Sequence, residues 1–189
     1  MIFNVKLNYN MQNQMRHFLL YLLLSSCFVI SCKSNSNHSK EIVTTANTTE
    51  ITNRFPSPLG FVSDFEQIFS LEQRLELEKT LKNYEKESER ELAIVTVNSI
   101  ETYLDMASYS MDLANEWGIG KADKDNGLLI LISSSLREVR ISTGYGTEKK
   151  LTDKICKEII DQTIIPQFKN ERYFEGVQSG LSELIKKLD

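Results

Sequence analysis

Two short, almost wholly apolar runs constrain the fold of this 189-residue chain more than any other feature. Leu92 to Val97 and Leu128 to Ile132 are rich in branched residues, which predicts strands buried on both faces. In a third segment Val139 and Ile141 alternate with polar residues, which predicts a strand paired with the second run through the turn at Ser133 to Leu136. A sheet buried on both faces needs helices against it, so we expect an α/β fold.

One helix is predicted before the first apolar run and another after it. Ser70 and Gln73 form a capping-box pattern that marks a helix start. We expect this helix to reach about Ser88 and to bury an apolar stripe made of Leu71, Leu75, Leu81 and Tyr84. A second helix is expected from about Glu101, and Gly118 is placed to end it.

Two more helices are predicted after the hairpin. Thr152 and Asp153 suit the start of a helix, and Pro166 should stop or kink it. The last helix should bury a stripe made of Val177, Leu181, Leu184, Ile185 and Leu188. The order of elements predicts a small sheet, containing a β-hairpin, with helices packed against it.

The N-terminal residues have the pattern of an export signal. Lys6 and Arg16 precede the apolar run Phe18 to Ile30. This run is shorter than the roughly 20 apolar residues that a transmembrane helix needs. The four residues that end at Cys32 resemble a lipobox, in which a diacylglycerol is attached to the cysteine before cleavage. We expect residues 1–31 to be a cleaved lipoprotein signal peptide; an uncleaved anchor and an ordinary secreted leader are the alternatives.

The residues after this signal predict a tether and one folded domain. Residues 32–58 are rich in Ser, Asn and Thr and end in Pro56 and Pro58, which favours a disordered polar tether behind the lipidated Cys32. Residues 59–189 suffice for one domain with its own core. We therefore expect a membrane-anchored lipoprotein of the cell envelope that faces the periplasm or the exterior.

The predicted domain is acidic and contains no histidine. From Leu59 onward acidic side chains outnumber basic ones, which argues against nucleic acid as a partner because phosphate binding needs a basic face. His17 and His38 fall in the predicted leader and tether. Chemistry within the domain therefore cannot use an imidazole.

Cysteine usage argues against disulfides and thiol chemistry. Cys27 lies in the predicted leader and Cys32 at its end, which leaves Cys156 alone in the domain. It shares a predicted helix with Ile155 and Ile159, so we expect a buried small hydrophobe rather than a nucleophile.

One loop carries the side chains that a hard cation prefers. Asp123, Asp125 and Asn126 stand directly before Gly127 and the second apolar run. Carboxylate and amide oxygens are the usual ligands of Ca²⁺ and Mg²⁺. The loop is not an EF-hand, because Ser134 stands where the bidentate glutamate should be. The same residue types also form ordinary turns, and that interpretation stays open.

Several enzyme classes do not fit. The aspartates of this loop precede a strand, whereas those of haloacid dehalogenases follow one, and Gln162 stands where a cysteine phosphatase would have its arginine. The turn at Gly144 to Gly146 is too short for a dinucleotide fingerprint, so no nucleotide cofactor is expected.

The order of short motifs from residue 59 to residue 188 resembles the TPM domain family. The matching segments are Phe61 to Asp64, Ala93 to Val97, Trp117 to Gly120, Lys124 to Gly127, Val139 to Ile141 with Gly144 to Gly146 and Glu148, and Ile164 to Phe168 before Tyr173 and Gly176. The resemblance implies a compact three-layer α/β/α sandwich with a small mixed sheet. Members include a plant thylakoid-lumen protein with acid phosphatase activity, membrane proteins of animals, and bacterial envelope proteins, some of which bind Ca²⁺.

The resemblance also implies a divalent-cation site, for Ca²⁺ or Mg²⁺. Carried over by motif, its ligands would be Asp64, Asp125 and Asn126, with Glu148 a candidate from the Gly-Tyr-Gly loop and Asp123 an additional local carboxylate. Two functions follow from it. The first is a non-catalytic docking or assembly module for another envelope protein, and the alternative is a metal-dependent acid phosphatase of low turnover.

Overall fold

The computed structural model describes residues 54–120 and 123–189, which belong to one compact unit, residues 51–189. The predicted signal peptide, Cys32 and most of the predicted tether lie outside the described residues. Within the two described ranges, no helix is both long and apolar enough to span a membrane. In chain order the elements are β1 (Val62–Asp64), α1 (Leu71–Ser88), β2 (Leu92–Thr96), α2 (Met106–Trp117), β3 (Leu128–Ser133), β4 (Glu138–Thr143), α3 (Tyr145–Glu148), α4 (Asp153–Ile159), a π-helical turn (Ile160–Ile164), α5 (Ile165–Phe168) and α6 (Tyr173–Leu188).

The strands form one mixed sheet in the order β1-β2-β3-β4. Strands β1, β2 and β3 are parallel, and β4 is antiparallel to β3, which confirms the predicted hairpin. The register places Asp64 beside Thr96 and Thr96 beside Ile132, where the three parallel strands end. We call this side of the sheet the carboxyl edge, and the opposite side, where β2 and β3 begin, the amino edge. Strand β1 was not predicted, because three residues are too few to show a period.

Helices cover both faces of the sheet, so the α/β/α layering is confirmed. One core lies between the sheet and helices α1, α4 and α6, and takes Leu128, Ile130 and Ile132 from β3. The other lies between the sheet and α2, and takes Leu129 and Leu131. Successive side chains of a strand point to opposite faces, so the fully buried β3 serves both cores.

The two crossover connections have opposite hands. The connection through α1 joins β1 to β2, and that through α2 joins β2 to β3, so both step in the same direction across the sheet. The two helices nevertheless pack on opposite faces. One of the connections is therefore left-handed, which is an uncommon arrangement because about 98% of such crossovers are right-handed.

Helix α1 begins and ends as predicted but buries a different stripe. Ser70 and Gln73 form the capping box, and Leu77, Leu81 and Tyr84 are buried. The prediction that Leu71 and Leu75 are buried was wrong, since they are 56% and 58% exposed, respectively. At about 100° per residue, Leu75 projects roughly 160° away from Leu77 and Leu71 roughly 120° away, so neither shares its face.

Helix α2 starts later than predicted. Thr102 has a left-handed backbone, with φ of 74°, which interrupts any helix that would begin near Glu101. The helix instead begins after Asp105, whose carboxylate accepts a hydrogen bond of 2.7 Å from the Ser108 amide. Gly118 ends it in the left-handed conformation, as predicted.

Pro166 distorts its helix rather than ending it. Proline lacks an amide hydrogen, and its ring collides with the carbonyl four residues earlier, which here belongs to Gln162. The five residues Ile160–Ile164 widen into a π-helical turn, and the helix then resumes as α5. The predicted kink is thus present as a π turn between α4 and α5.

The packed unit also includes residues that were assigned to the tether. Phe55 is only 3% exposed and belongs to the core under α2. The Pro56 carbonyl accepts a hydrogen bond from the Trp117 indole nitrogen at 3.1 Å. Residues 54–56 therefore pack on the domain, although composition alone had placed the end of the tether at residue 58.

Candidate functional site

The predicted cation ligands fall at two opposite edges of the sheet. Asp64 ends β1 at the carboxyl edge, next to Thr96. Asp125 and Asn126 precede β3 at the amino edge, and Glu148 follows β4 at the same edge. Four residues of β2 and β3 separate the edges, which is about 13 Å at the rise of a strand. Asp64 therefore does not join the other predicted ligands in one site.

The carboxylate of Asp64 holds the loop that follows β1. It is 4% exposed and accepts hydrogen bonds from the Thr96 hydroxyl at 2.7 Å, the Ile68 amide at 3.1 Å and the Phe69 amide at 3.0 Å. These donors satisfy a buried charge. The position of Asp64 is thus explained by loop closure.

The rest of the carboxyl edge is also tied together by a carboxylate. Glu66 accepts hydrogen bonds from the amides and hydroxyls of Ser134 and Ser135 in the β3–β4 turn, at 2.9 to 3.2 Å. A cavity of about 510 Å³ lies beside this turn, and its lining includes Arg137 and Lys169 together with Glu138 and Glu171. Its balanced charges favour no single class of ligand.

At the amino edge, two glycine-containing loops pack backbone against backbone. The Gly146 amide donates to the Asp125 carbonyl at 2.9 Å, and the Gly144 amide donates to the Gly127 carbonyl at 3.0 Å. A Cβ atom on Gly144 would lie 2.3 Å from the Asp125 carbonyl oxygen, and one on Gly146 would lie 2.1 Å from that of Lys124. The glycines of both motifs are therefore required by this close approach.

The segment after α2 is built into the same edge. Gly120 has φ of 99°, and its amide donates to the Glu91 carboxylate at 3.0 Å. A Cβ atom on Gly127 would lie 2.1 Å from the Ile119 carbonyl oxygen. The side-chain amide of Asn126, which is 6% exposed, donates to the Glu89 carbonyl at 2.7 Å, at the end of α1. Three stretches of backbone thus form one rigid platform.

Exposed carboxylates surround this platform without converging on a point. Asp123, Asp125 and Glu148 are all exposed. Lys124 pairs with Glu89, and this hydrogen bond raises the pKa of the lysine. In residues 54–120 and 123–189, no three His, Cys, Asp or Glu side chains lie close enough to hold a metal ion. Asp123, Asp125 and Glu148 are therefore compatible only with a site completed by carbonyl oxygens and water.

A cavity of about 420 Å³ opens between α2, the platform and the end of β4. Its lining includes Met111 and Ala114 from α2, Ile119, Asp125 and Tyr145. Tyr145 is 78% exposed and Met111 is 59% exposed, which is unusual for large apolar side chains. Neither residue was predicted to be functional from its local sequence, although a tyrosine between two glycines indicates a side chain presented on a tight turn.

Among the described residues that line the cavity there is no cysteine or histidine, although its lining includes the hydroxyl groups of Ser142 and Thr143. Cys156 belongs to the core on the other face and is 5% exposed, as expected for a buried small hydrophobe. Burial raises the pKa of its thiol to about 11, so almost none of it is thiolate at neutral pH. The described part of the amino edge therefore offers apolar contact, backbone groups, hydroxyls and carboxylates for binding.

The chain is thus a small α/β/α sandwich in which two glycine-containing loops meet at the amino edge of a four-stranded sheet. The sequence model of the TPM domain matches residues 62–187, and the chain belongs to this family. The family assignment confirms the resemblance seen in the order of motifs. No curated protein matches the chain.

Solved structures agree with this assignment. The N-terminal domain of a protein from P. gingivalis is 32% identical, with a TM-score of 0.63, over 68% of this chain and 82% of that one. Two less similar structures share the fold. The BA42 protein of Bizionia argentinensis is 18% identical, with a TM-score of 0.57, over 66% of this chain and 83% of that one. The N-terminal domain of the cg2496 protein of Corynebacterium glutamicum is 13% identical, with a TM-score of 0.54, over 70% and 84%.

Proposed function

We propose that this protein is a membrane-anchored envelope lipoprotein whose TPM domain docks another envelope protein without catalysing a reaction. The observation that carries the proposal is the amino-edge cavity, with Tyr145 and Met111 exposed beside it. Attachment through Cys32 would support docking, because a tether raises the effective concentration of the domain near a membrane partner.

The chemistry of the cavity suggests the kind of segment it takes. Tyrosine and methionine are enriched in protein interfaces, and a rigid backbone platform loses little entropy on binding. The exposed carboxylates of Asp123, Asp125 and Glu148 favour a positively charged rim on the partner. We therefore expect a partner segment that inserts an apolar side chain and carries Lys or Arg beside it.

A divalent cation is part of this proposal. Asp123 and Asp125 lie on one loop of the platform and Glu148 on the other, so a Ca²⁺ ion could link the two through carboxylates, carbonyl oxygens and water. Such a site would stiffen the rim of the cavity. Asp64 has no part in it, because it lies at the carboxyl edge.

The alternative, a metal-dependent phosphatase, has weaker support. It needs cation ligands and an oriented water or nucleophile in one place. Asp64 and Asp125 lie at opposite edges of the sheet, and no histidine follows His38 in the sequence. A docking function requires neither feature.

Photo-crosslinking in membranes tests the proposal. A photoreactive amino acid in place of Tyr145 should give a reproducible adduct with one envelope protein when Ca²⁺ is present, and less of it after a chelator is added. The matched control carries the same group in place of Leu136, which is 46% exposed in the turn at the carboxyl edge. It should give no such adduct.

The outcomes separate the parts of the proposal. Absence of a specific adduct from the Tyr145 position, or equal adducts from both positions, would contradict docking through the amino edge. An adduct that the chelator leaves unchanged would contradict the role of the cation and leave the docking surface in place.

A further inference from the structure

We infer that residues 54–56 form a latch that closes on helix α2, and that this latch braces one wall of the amino-edge cavity. The latch itself is a property of the described fold. The importance of this bracing rests on the proposed function. The latch precedes residues 62–187, the stretch that matches the family model.

The side chain of Phe55 fills an aromatic groove on one side of α2. Its ring packs edge-on against Tyr109, with centroids 5.1 Å apart, and lies tilted against Tyr103 at 6.0 Å. Tyr103 and Tyr109 also pack edge to face, at 5.1 Å. Tyr103 and Tyr109 thus form an aromatic pocket in which the Phe55 ring is only 3% exposed.

Polar contacts close the latch on either side of Phe55. The Arg54 guanidinium pairs with Asp112 and the Tyr103 hydroxyl, and it lies over the rings of Phe55 and Tyr103 at 5.2 and 5.1 Å. The Tyr103 hydroxyl also donates to Asp112, at 3.0 Å, so the carboxylate of Asp112 binds both Arg54 and Tyr103. On the other side, the Trp117 indole donates to the Pro56 carbonyl.

The latch braces the helix that forms one wall of the cavity. Tyr109, Asp112 and Trp117 of α2 hold the latch, while Met111 and Ala114 of the same helix line the cavity. The closed latch therefore holds this wall of the cavity in place.

Limited trypsin digestion of the purified full chain tests the latch without reference to the lipid. Trypsin cuts after arginine, and a closed latch should protect the Arg54–Phe55 bond. In Asp112→Asn the Arg54 guanidinium loses its charged partner, and cleavage at this bond should become about two- to fivefold faster, because a half-exposed ion pair stabilises the closed latch only modestly. The matched control is Glu116→Gln, which removes an exposed charge one turn further along α2 and should leave the cleavage rate unchanged.

Mass spectrometry of the fragment that begins at Phe55 gives the rate directly. Rapid cleavage after Arg54 in the unchanged protein, or equal rates in Asp112→Asn and Glu116→Gln, would overturn the latch.

Urea unfolding of Asp112→Asn, followed through the fluorescence of Trp117, shows whether the domain stays folded. If the domain itself unfolds in this variant, Tyr103→Phe, which removes only a hydroxyl, must still raise the cleavage rate, or the latch is refuted. A failure of membrane anchoring leaves the digestion result unaffected, so the two ideas can fail separately.

Discussion

At the scale of single residues, Asp64 shows how a motif residue can owe its position to loop geometry. Its buried carboxylate accepts three hydrogen bonds that hold the loop after β1. The glycines of the amino edge have a similar explanation, since Gly127, Gly144 and Gly146 leave no room for a Cβ atom. Residues that carry the family resemblance are thus in good part residues that build the fold.

A stability measurement distinguishes this role of Asp64 from metal binding. We expect Asp64→Ala to lower the free energy of unfolding by about 2–4 kcal/mol, because each buried donor left without an acceptor costs about 1–3 kcal/mol. Asp64→Asn retains an acceptor and should lose less. Urea unfolding should give the same loss with Ca²⁺ or with a chelator, and Asp123→Ala, at an exposed position, should stay near zero. A loss that appears only with Ca²⁺ would return Asp64 to the list of metal ligands.

At the scale of elements, two glycines allow helix α6 to approach the π-helical turn and the helix α5 that follows it. A Cβ atom on Gly180 would lie 2.6 Å from Ile164 Cγ1, and one on Gly176 would lie 2.7 Å from Phe168 Cε1. The path of the chain around Pro166 and the two glycines of α6 are therefore packed against each other and depend on one another. Pro166 is visible in the sequence, but the helix that must accommodate it is found only in three dimensions.

Gly180→Ala tests this packing. Alanine favours a helix over glycine by about 1 kcal/mol, but the added methyl group collides with Ile164, and overpacking costs about 1–3 kcal/mol. We expect a lower urea midpoint for Gly180→Ala. The control Ser179→Ala, at an exposed position of the same helix, should leave the midpoint unchanged or slightly raised. A stabilised Gly180→Ala protein would show that α6 can move away at little cost.

At the scale of the whole molecule, strand β3 joins the two cores. Its alternate side chains serve opposite faces, so neither layer of helices can separate without exposing the strand. The chain also places one probe on each face, because its single tryptophan, Trp117, lies on α2 and Cys156 lies in the opposite core.

These probes should report a single unfolding transition. We expect the fluorescence of Trp117 and the labelling of Cys156, read by mass spectrometry, to share one urea midpoint, because the two cores share β3. A change at Trp117 well below the urea concentration at which Cys156 becomes reactive would contradict this. It would show that α2 opens as a separate unit.

The sequence by itself determined the features that depend on neighbouring residues. Apolar runs marked β2 and β3, the alternation after Ser135 marked β4, and Ser70, Gly118 and Thr152 marked helix ends, because caps and periods act over a few residues. The order of motifs then indicated the family and its layered fold.

The tertiary structure alone decided what is brought together. It placed Asp64 and Asp125 at opposite edges, assigned α1 and α2 to opposite faces, and turned Leu71 and Leu75 to the outside. It also assembled the Tyr145 cavity and the latch, whose parts are far apart in the chain. The physical reason is that strand direction, crossover hand and groove shape depend on contacts between distant residues, which no local pattern records.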